Sequence, residues 1–141
     1  MKNININDER EAFSINGDPD RVIYVHATDF NIKVRANKAR TEIGVMLEEL
    51  DSASPENEEA FADVLENVDS RIREQINYIF DYNVSEPVFG ACSPLMTLKN
   101  GKTYVEAFLD AFIPEIEKVA EKAAKASEKR INKHAGKYIK K

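Results

Sequence analysis

The stretch Phe61-Ala-Asp-Val-Leu65-Glu-Asn-Val68-Asp-Ser-Arg-Ile72-Arg-Glu-Gln-Ile76-Asn-Tyr-Ile79-Phe80 decides the fold. Its apolar residues Phe61, Leu65, Val68, Ile72, Ile76 and Ile79 recur every three or four positions, the period of one face of an α-helix. Upstream, Ser54 is a natural N-cap and Pro55 suits a first helical position. Glu56, Glu58 and Glu59 then fall where the helix dipole favours negative charge. The pattern predicts a helix over about residues 55–82, with Asn83 able to close it.

Toward the start of the chain a second stripe appears: Ile32, Ala36, Ala39, Ile43, Met46 and Leu50. It predicts a helix over about 29–51, capped by Thr28 or Asp29. Phe30, Ile32 and Val34 also alternate like a strand, which leaves 29–36 open between the two states. Gly44 costs about 1 kcal/mol relative to Ala inside a helix, so packing must hold this one together. Before it, Phe13 and Ile15 alternate with polar residues, and 21–26 is rich in β-branched and aromatic side chains. Between them Asn16-Gly17-Asp18-Pro19-Asp20 turns easily. A β-hairpin over about 13–26 with a five-residue loop follows. A lone hairpin is marginal in water, so it must lie on helices or join a partner's sheet. The first dozen residues are polar and read as loosely held.

Downstream, Pro87, Gly90, Pro94, Asn100 and Gly101 break the periodicity and predict a short helical turn followed by a loop. Thr103-Tyr-Val-Glu106 is a capping box, and Val105, Phe108, Leu109, Phe112, Ile116, Val119 and Ala123 form the face of a helix over about 103–126. Pro114 inside it removes a hydrogen bond and should kink it. The expected fold is α+β and mainly α-helical. An N-terminal β-hairpin precedes two or three principal helices, in one globular domain over 1–126 with a basic helical or mobile extension over 127–141.

A chain of 141 residues fits one such domain. No run of 18 apolar residues is present to span a membrane, and the opening residues hold no long apolar stretch like that of a secretory signal. The single Cys92 excludes an internal disulfide and points to a reduced, cytoplasmic setting. The net charge of −5 hides a division. Residues 118–141 hold nine Lys or Arg against Glu121 and Glu128, a charge of +7, and the first 117 residues carry −12. Within residues 42–69 there are ten acidic side chains and no basic one. Such polarity implies steering or self-association between unlike ends, set against the plainer reading of a solvated acidic helix and a soluble basic tail.

Candidate chemistry is sparse. Asn100-Gly101-Lys102-Thr103 resembles the end of a phosphate-binding loop, but Met96 stands where that loop needs glycine. Asp18-Pro19-Asp20 resembles the start of a calcium loop, but Asp29 lies where the bidentate Glu belongs. His26 and His134 have no second ligand at zinc spacing, and Cys92 lies in a Pro/Gly-rich loop, so no metal, cofactor or catalytic residue is assigned. The basic tail has only Tyr138 for stacking, and the acidic body beside it repels phosphate, so the balance is against nucleic acid.

One resemblance does carry a function. Residues 73–90, Arg-Glu-Gln-Ile-Asn-Tyr-Ile-Phe80-Asp-Tyr-Asn-Val-Ser85-Glu-Pro-Val-Phe89-Gly90, resemble a pattern in tail assembly chaperones of long-tailed phages and Gram-positive prophages. So does Tyr104-Val-Glu-Ala-Phe108-Leu-Asp-Ala-Phe112-Ile-Pro-Glu-Ile-Glu, which is similar to the final helix of those proteins. Where that family often has a Phe-Gly pair ending the earlier helix, Phe80 is here followed by Asp81 and Tyr82. The resemblance implies a non-enzymatic assembly factor in the host cytoplasm that coats the tape-measure protein and recruits tail-tube subunits. On that reading Val88, Phe89, Phe108 and Phe112 build an apolar partner-binding patch, and Lys129, Arg130, Lys133 and Lys137 belong to a basic arm. Read structurally, the same four residues are more often plain core than interface. The alternatives are another small phage structural or connector protein, or a cytoplasmic protein-interaction module.

Overall fold

The computed structural model describes residues 1–139, with side chains through residue 133. Two antiparallel strands, β1 (Glu11–Ile15) and β2 (Asp18–Val25), precede helices α1 (Phe30–Ser52), α2 (Glu58–Phe80), α3 (Ser85–Phe89) and α4 (Tyr104–Ile139). The chain is 61% helix and 11% strand, so the α+β, mainly α-helical class holds.

The hairpin turns on two residues rather than five. Asn16 and Gly17 take φ of 54° and 72°, the double positive φ of a tight primed turn. The register then jumps from Ser14↔Val22 to Ile15↔Asp18, leaving Pro19, Asp20 and Arg21 outside regular pairing. Proline lacks the amide a ladder needs, so an irregular stretch is where a strand tolerates it.

Helix α1 settles the open segment: Asp29 is its N-cap and accepts from the Asn31 amide at 3.0 Å. The buried stripe is Ile32, Ala36, Ala39, Ile43 and Met46, whereas Phe30 stays 74% exposed. The helical period therefore wins over the strand-like alternation. Two alanines at the centre of this stripe let α2 approach closely, and α1 and α2 pack together. Arg71 reaches Glu49 across them at 3.7 Å.

Helix α2 starts later than Ser54 and Pro55 predict. Asn57 caps it, accepting from the Ala60 amide at 2.8 Å, and the helix ends at Phe80 instead of residue 82. Asp81, not Asn83, closes it in the left-handed conformation, with φ 59°. Val68, Ile72, Ile76 and Ile79 are buried as the stripe requires, while Phe61 is exposed.

The capping box of α4 is reciprocal. The Thr103 amide donates to Glu106 Oε1 at 3.1 Å, and the Glu106 amide donates to Thr103 Oγ1 at 3.4 Å. The helix continues past residue 126 to Ile139 and contains Pro114. Its first half buries Val105, Leu109, Ile113 and Ile116 in the core shared with α1 and α2; from residue 124 to 133 its side chains are exposed. No helix among the described residues is long and apolar enough to cross a membrane.

Candidate docking groove

Strand alternation places Phe13 and Ile15 on one face of β1, and a four-residue step places Phe108 and Phe112 on one face of α4. The two faces meet across a cleft of about 360 Å³, with Leu98 and Tyr104 also in its wall. Its aromatic side is a chain of ring contacts. Phe108 and Phe112 stack at 5.4 Å, and Phe112 touches Phe80 at 5.1 Å and Phe13 edge-on at 6.1 Å. Ala107 and Ala111 keep the α4 side of the opening low. Glu115 is the single charged residue of the lining.

A second aromatic cluster lies at the corner where α3 meets β2. Arg21, freed from the strand ladder, donates from Nε to the Pro87 carbonyl at 2.9 Å and from its terminal nitrogen to the Val88 carbonyl at 2.7 Å. A cation at these last carbonyls of a short helix also complements their partial negative charge. The same guanidinium donates to the Tyr104 hydroxyl at 2.9 Å, which passes its own hydrogen to Val88 O at 2.9 Å. Gly90 follows with φ 58°, and a Cβ there would lie 3.2 Å from Arg21 Cζ. Phe89 is enclosed by Tyr104, at 5.7 Å between ring centres, and by the Arg73 guanidinium 5.2 Å from its ring. Asn77 Oδ1 accepts from the amides of Val84 and Ser85 at 2.8 and 3.1 Å, clipping the start of α3 to α2.

The residues the resemblance groups in one patch are thus divided. Val88 and Phe89 are 0% exposed and belong to the closed corner. Phe108 and Phe112, 9% and 5% exposed, are buried in the core as well, and the edges they leave uncovered line the groove. Lys129, Arg130 and Lys133 are exposed on the distal part of α4, and the Lys137 side chain lies outside the described residues. Phe13, Ile15, Leu98 and Ala111 enter the site without having been singled out from the sequence. The β1 alternation does signal that Phe13 and Ile15 share a face, but nothing local says that α4 lies opposite.

Charged side chains tie this framework together at its surface. Asp110 accepts from Arg40 at 3.1 Å and from Lys102 at 2.6 Å, joining α1, the loop before α4 and α4 itself. The hydrogen bond that the exposed Lys102 ammonium donates to Asp110 holds it above its ordinary pKa. Among the described residues no three His, Cys, Asp or Glu side chains converge as a metal site. Cys92 is half-buried beside the corner, where its carbonyl lies 3.5 Å from Arg73. No family model, curated protein or solved structure matches the chain.

Proposed function

We propose that the protein is a non-enzymatic tail assembly chaperone of a phage or prophage, acting in the bacterial host cytoplasm. The observation that carries this reading is the open cleft walled by Phe13, Phe108 and Phe112. Its apolar wall takes the apolar side chains of an extended partner segment, which would otherwise aggregate. By the resemblance of residues 73–90 and 104–117, that partner is the tape-measure protein, and tail-tube subunits are recruited to the complex. The division of charge supports the role. A body of −12 keeps a coated partner dispersed, and exposed Lys129, Arg130 and Lys133 on α4 offer a contrasting surface to acidic neighbours.

Co-expression with a tape-measure fragment tests the proposal. The fragment should become soluble and elute with the protein as one complex on size exclusion. A fragment that stays insoluble, with no complex eluting, overturns it.

A further inference from the structure

Residues 1–10 are all exposed, and β1 begins directly after them at Glu11. They contain Asn3-Ile4-Asn5-Ile6-Asn7, in which two isoleucines alternate with asparagine. Ile4 and Ile6 are 84% and 79% exposed, so their apolar surface gains nothing from burial. Period-two alternation is the pattern of a strand with one apolar face, yet among the described residues this arm joins no sheet.

The hydrogen bonds at Tyr24 show which backbone groups of the hairpin are free. Its amide donates to the Tyr82 hydroxyl at 2.8 Å, and that hydroxyl donates to Tyr24 O at 3.2 Å. Both backbone groups of Tyr24 therefore point away from β1, where its cross-strand partner is Ala12. Opposite residues of an antiparallel ladder exchange both bonds or neither, so Ala12 also turns its amide and carbonyl outward. Ser14, two residues on, does the same. The register jump leaves this edge regular, because the extra residues, Pro19 to Arg21, belong to β2. Among the described residues no third strand takes up these groups.

We propose that the chain's own residues 3–7 fold back onto β1 as a third antiparallel strand, with Ile4 and Ile6 seated over the groove as a displaceable plug. The bonding sets the register. Ala12 is the first free position, and Asn7 meets it through a four-residue loop over 8–11, an ordinary hairpin length. Ile6 then stands opposite Phe13, and Ile4 opposite Ile15. Opposite residues share a face, so both isoleucines join Phe13 and Ile15 on the side that lines the groove. A loop one residue shorter or longer would turn them to solvent. The lining takes nothing from β2, so the groove opens beside β1, where this strand would lie.

The occupant is the chain's own arm because it is tethered to the edge it pairs with. A fold-back arm retraces β1 residue for residue, and Ile4 comes level with the last residue of that strand, Ile15. Glu9, at φ 45°, already bends the chain out of extended geometry inside the loop. A short tether sets an effective concentration on the order of millimolar, which a neighbour's arm in dilute solution does not match. Against this, one hydrogen bond joins the arm to the rest of the described residues, from Asp8 Oδ2 to His26 Nε2 at 2.9 Å. Such exposed pairs contribute little. A third strand also relieves the marginal stability of a two-stranded sheet. The seating needs no partner; only its competition with a partner's segment rests on the function proposed above.

The test uses the full chain in a Cys92→Ser background without any partner. Asn5→Cys and Ser14→Cys face each other on the solvent side of the added strand and spare both isoleucines. Oxidation should give an intrachain disulfide in a species of 16.0 kDa, at a rate independent of protein concentration. Ala12→Cys in place of Ser14→Cys is two residues out of register and should cross-link at least tenfold more slowly. In the unmodified chain the Ser14 amide should exchange at least tenfold more slowly than in Ile4→Asn/Ile6→Asn, whose exposed positions spare the fold. No disulfide, a disulfide formed only between chains, or equal exchange overturns the fold-back. The disulfide-locked chain should also capture a tape-measure fragment at least tenfold more weakly than the same chain after reduction. Equal capture in both forms overturns the plug. No capture in either form, with the intrachain disulfide in place, removes the chaperone function and leaves the fold-back standing.

Discussion

The α3 corner and the β1–α4 groove are both built from aromatic rings, and Tyr104 belongs to both. At the corner its hydroxyl is caught between Arg21 and Val88 O; at the groove it forms part of the wall. The corner is closed because polar groups complete its shell. Arg21 satisfies two carbonyls, Asn77 satisfies two amides, and Phe89 is left with no exposed surface. The groove has no such shell: the partly buried Phe13 and Ile15, and the small uncovered edges of the core residues Phe108 and Phe112, border a gap with only Glu115 charged in its lining. The same residue class therefore makes a joint in one place and a seat in the other. What separates them is whether hydrogen-bonding partners close around the rings.

That contrast breaks first if Phe89 proves dispensable. Phe89→Ala removes a fully buried ring and should lower the unfolding free energy by about 3–5 kcal/mol, read from urea denaturation. A loss below about 1 kcal/mol would mean that the corner is as open as the groove. Arg21→Met comes next. It keeps much of the aliphatic stem but removes the charged donors to the Pro87 and Val88 carbonyls, for an expected loss of about 1.5–3 kcal/mol. Amide exchange should rise in α3 before it rises in α2, because α3 has one short turn and relies on this clamp. Equal exchange in both helices would show that the guanidinium is not what holds the corner.

How much of this was legible in the sequence follows from the same physics. Helix stripes repeat over twenty residues, so α1 and α2 declared themselves, and Thr103 with Glu106 signalled the start of α4 within four positions. Ends were less secure. Ser54-Pro55 and Asn57 are all adequate starts, and Asn57 won with a side-chain oxygen placed to take the Ala60 amide. The five turn-forming residues after Ile15 hid a two-residue turn because all five suit a turn locally, and the partner of Arg21, which the register jump leaves outside regular pairing, lies 66 positions away at Pro87. The site was half visible. Phe108 and Phe112 share a helix face by spacing alone, and Phe13 and Ile15 share a strand face, but the meeting of those faces is tertiary. The grouping of Phe89 with Phe108 rested on resemblance, whereas burial by Arg73 and Tyr104 assigns Phe89 to the corner.

The finest test of the contrast changes the groove and leaves stability alone. Ala111 is exposed, lies in the lining and sits one turn before Glu115 on α4. Ala111→Lys keeps a good helix former in place and can pair with Glu115 at the i,i+4 spacing, so the unfolding free energy should move by less than about 0.5 kcal/mol. The ammonium nevertheless stands at the mouth of an apolar cleft. Any side chain entering would have to strip its water or displace it, and neither has a compensating partner on the apolar wall. Capture of the tape-measure fragment should therefore fall at least tenfold in a titration where Phe89→Ala, scored only on its folded fraction, binds normally. If Ala111→Lys binds as well as the unmodified chain, the groove is a packing gap rather than a seat, and the difference between the two aromatic clusters reduces to one of density.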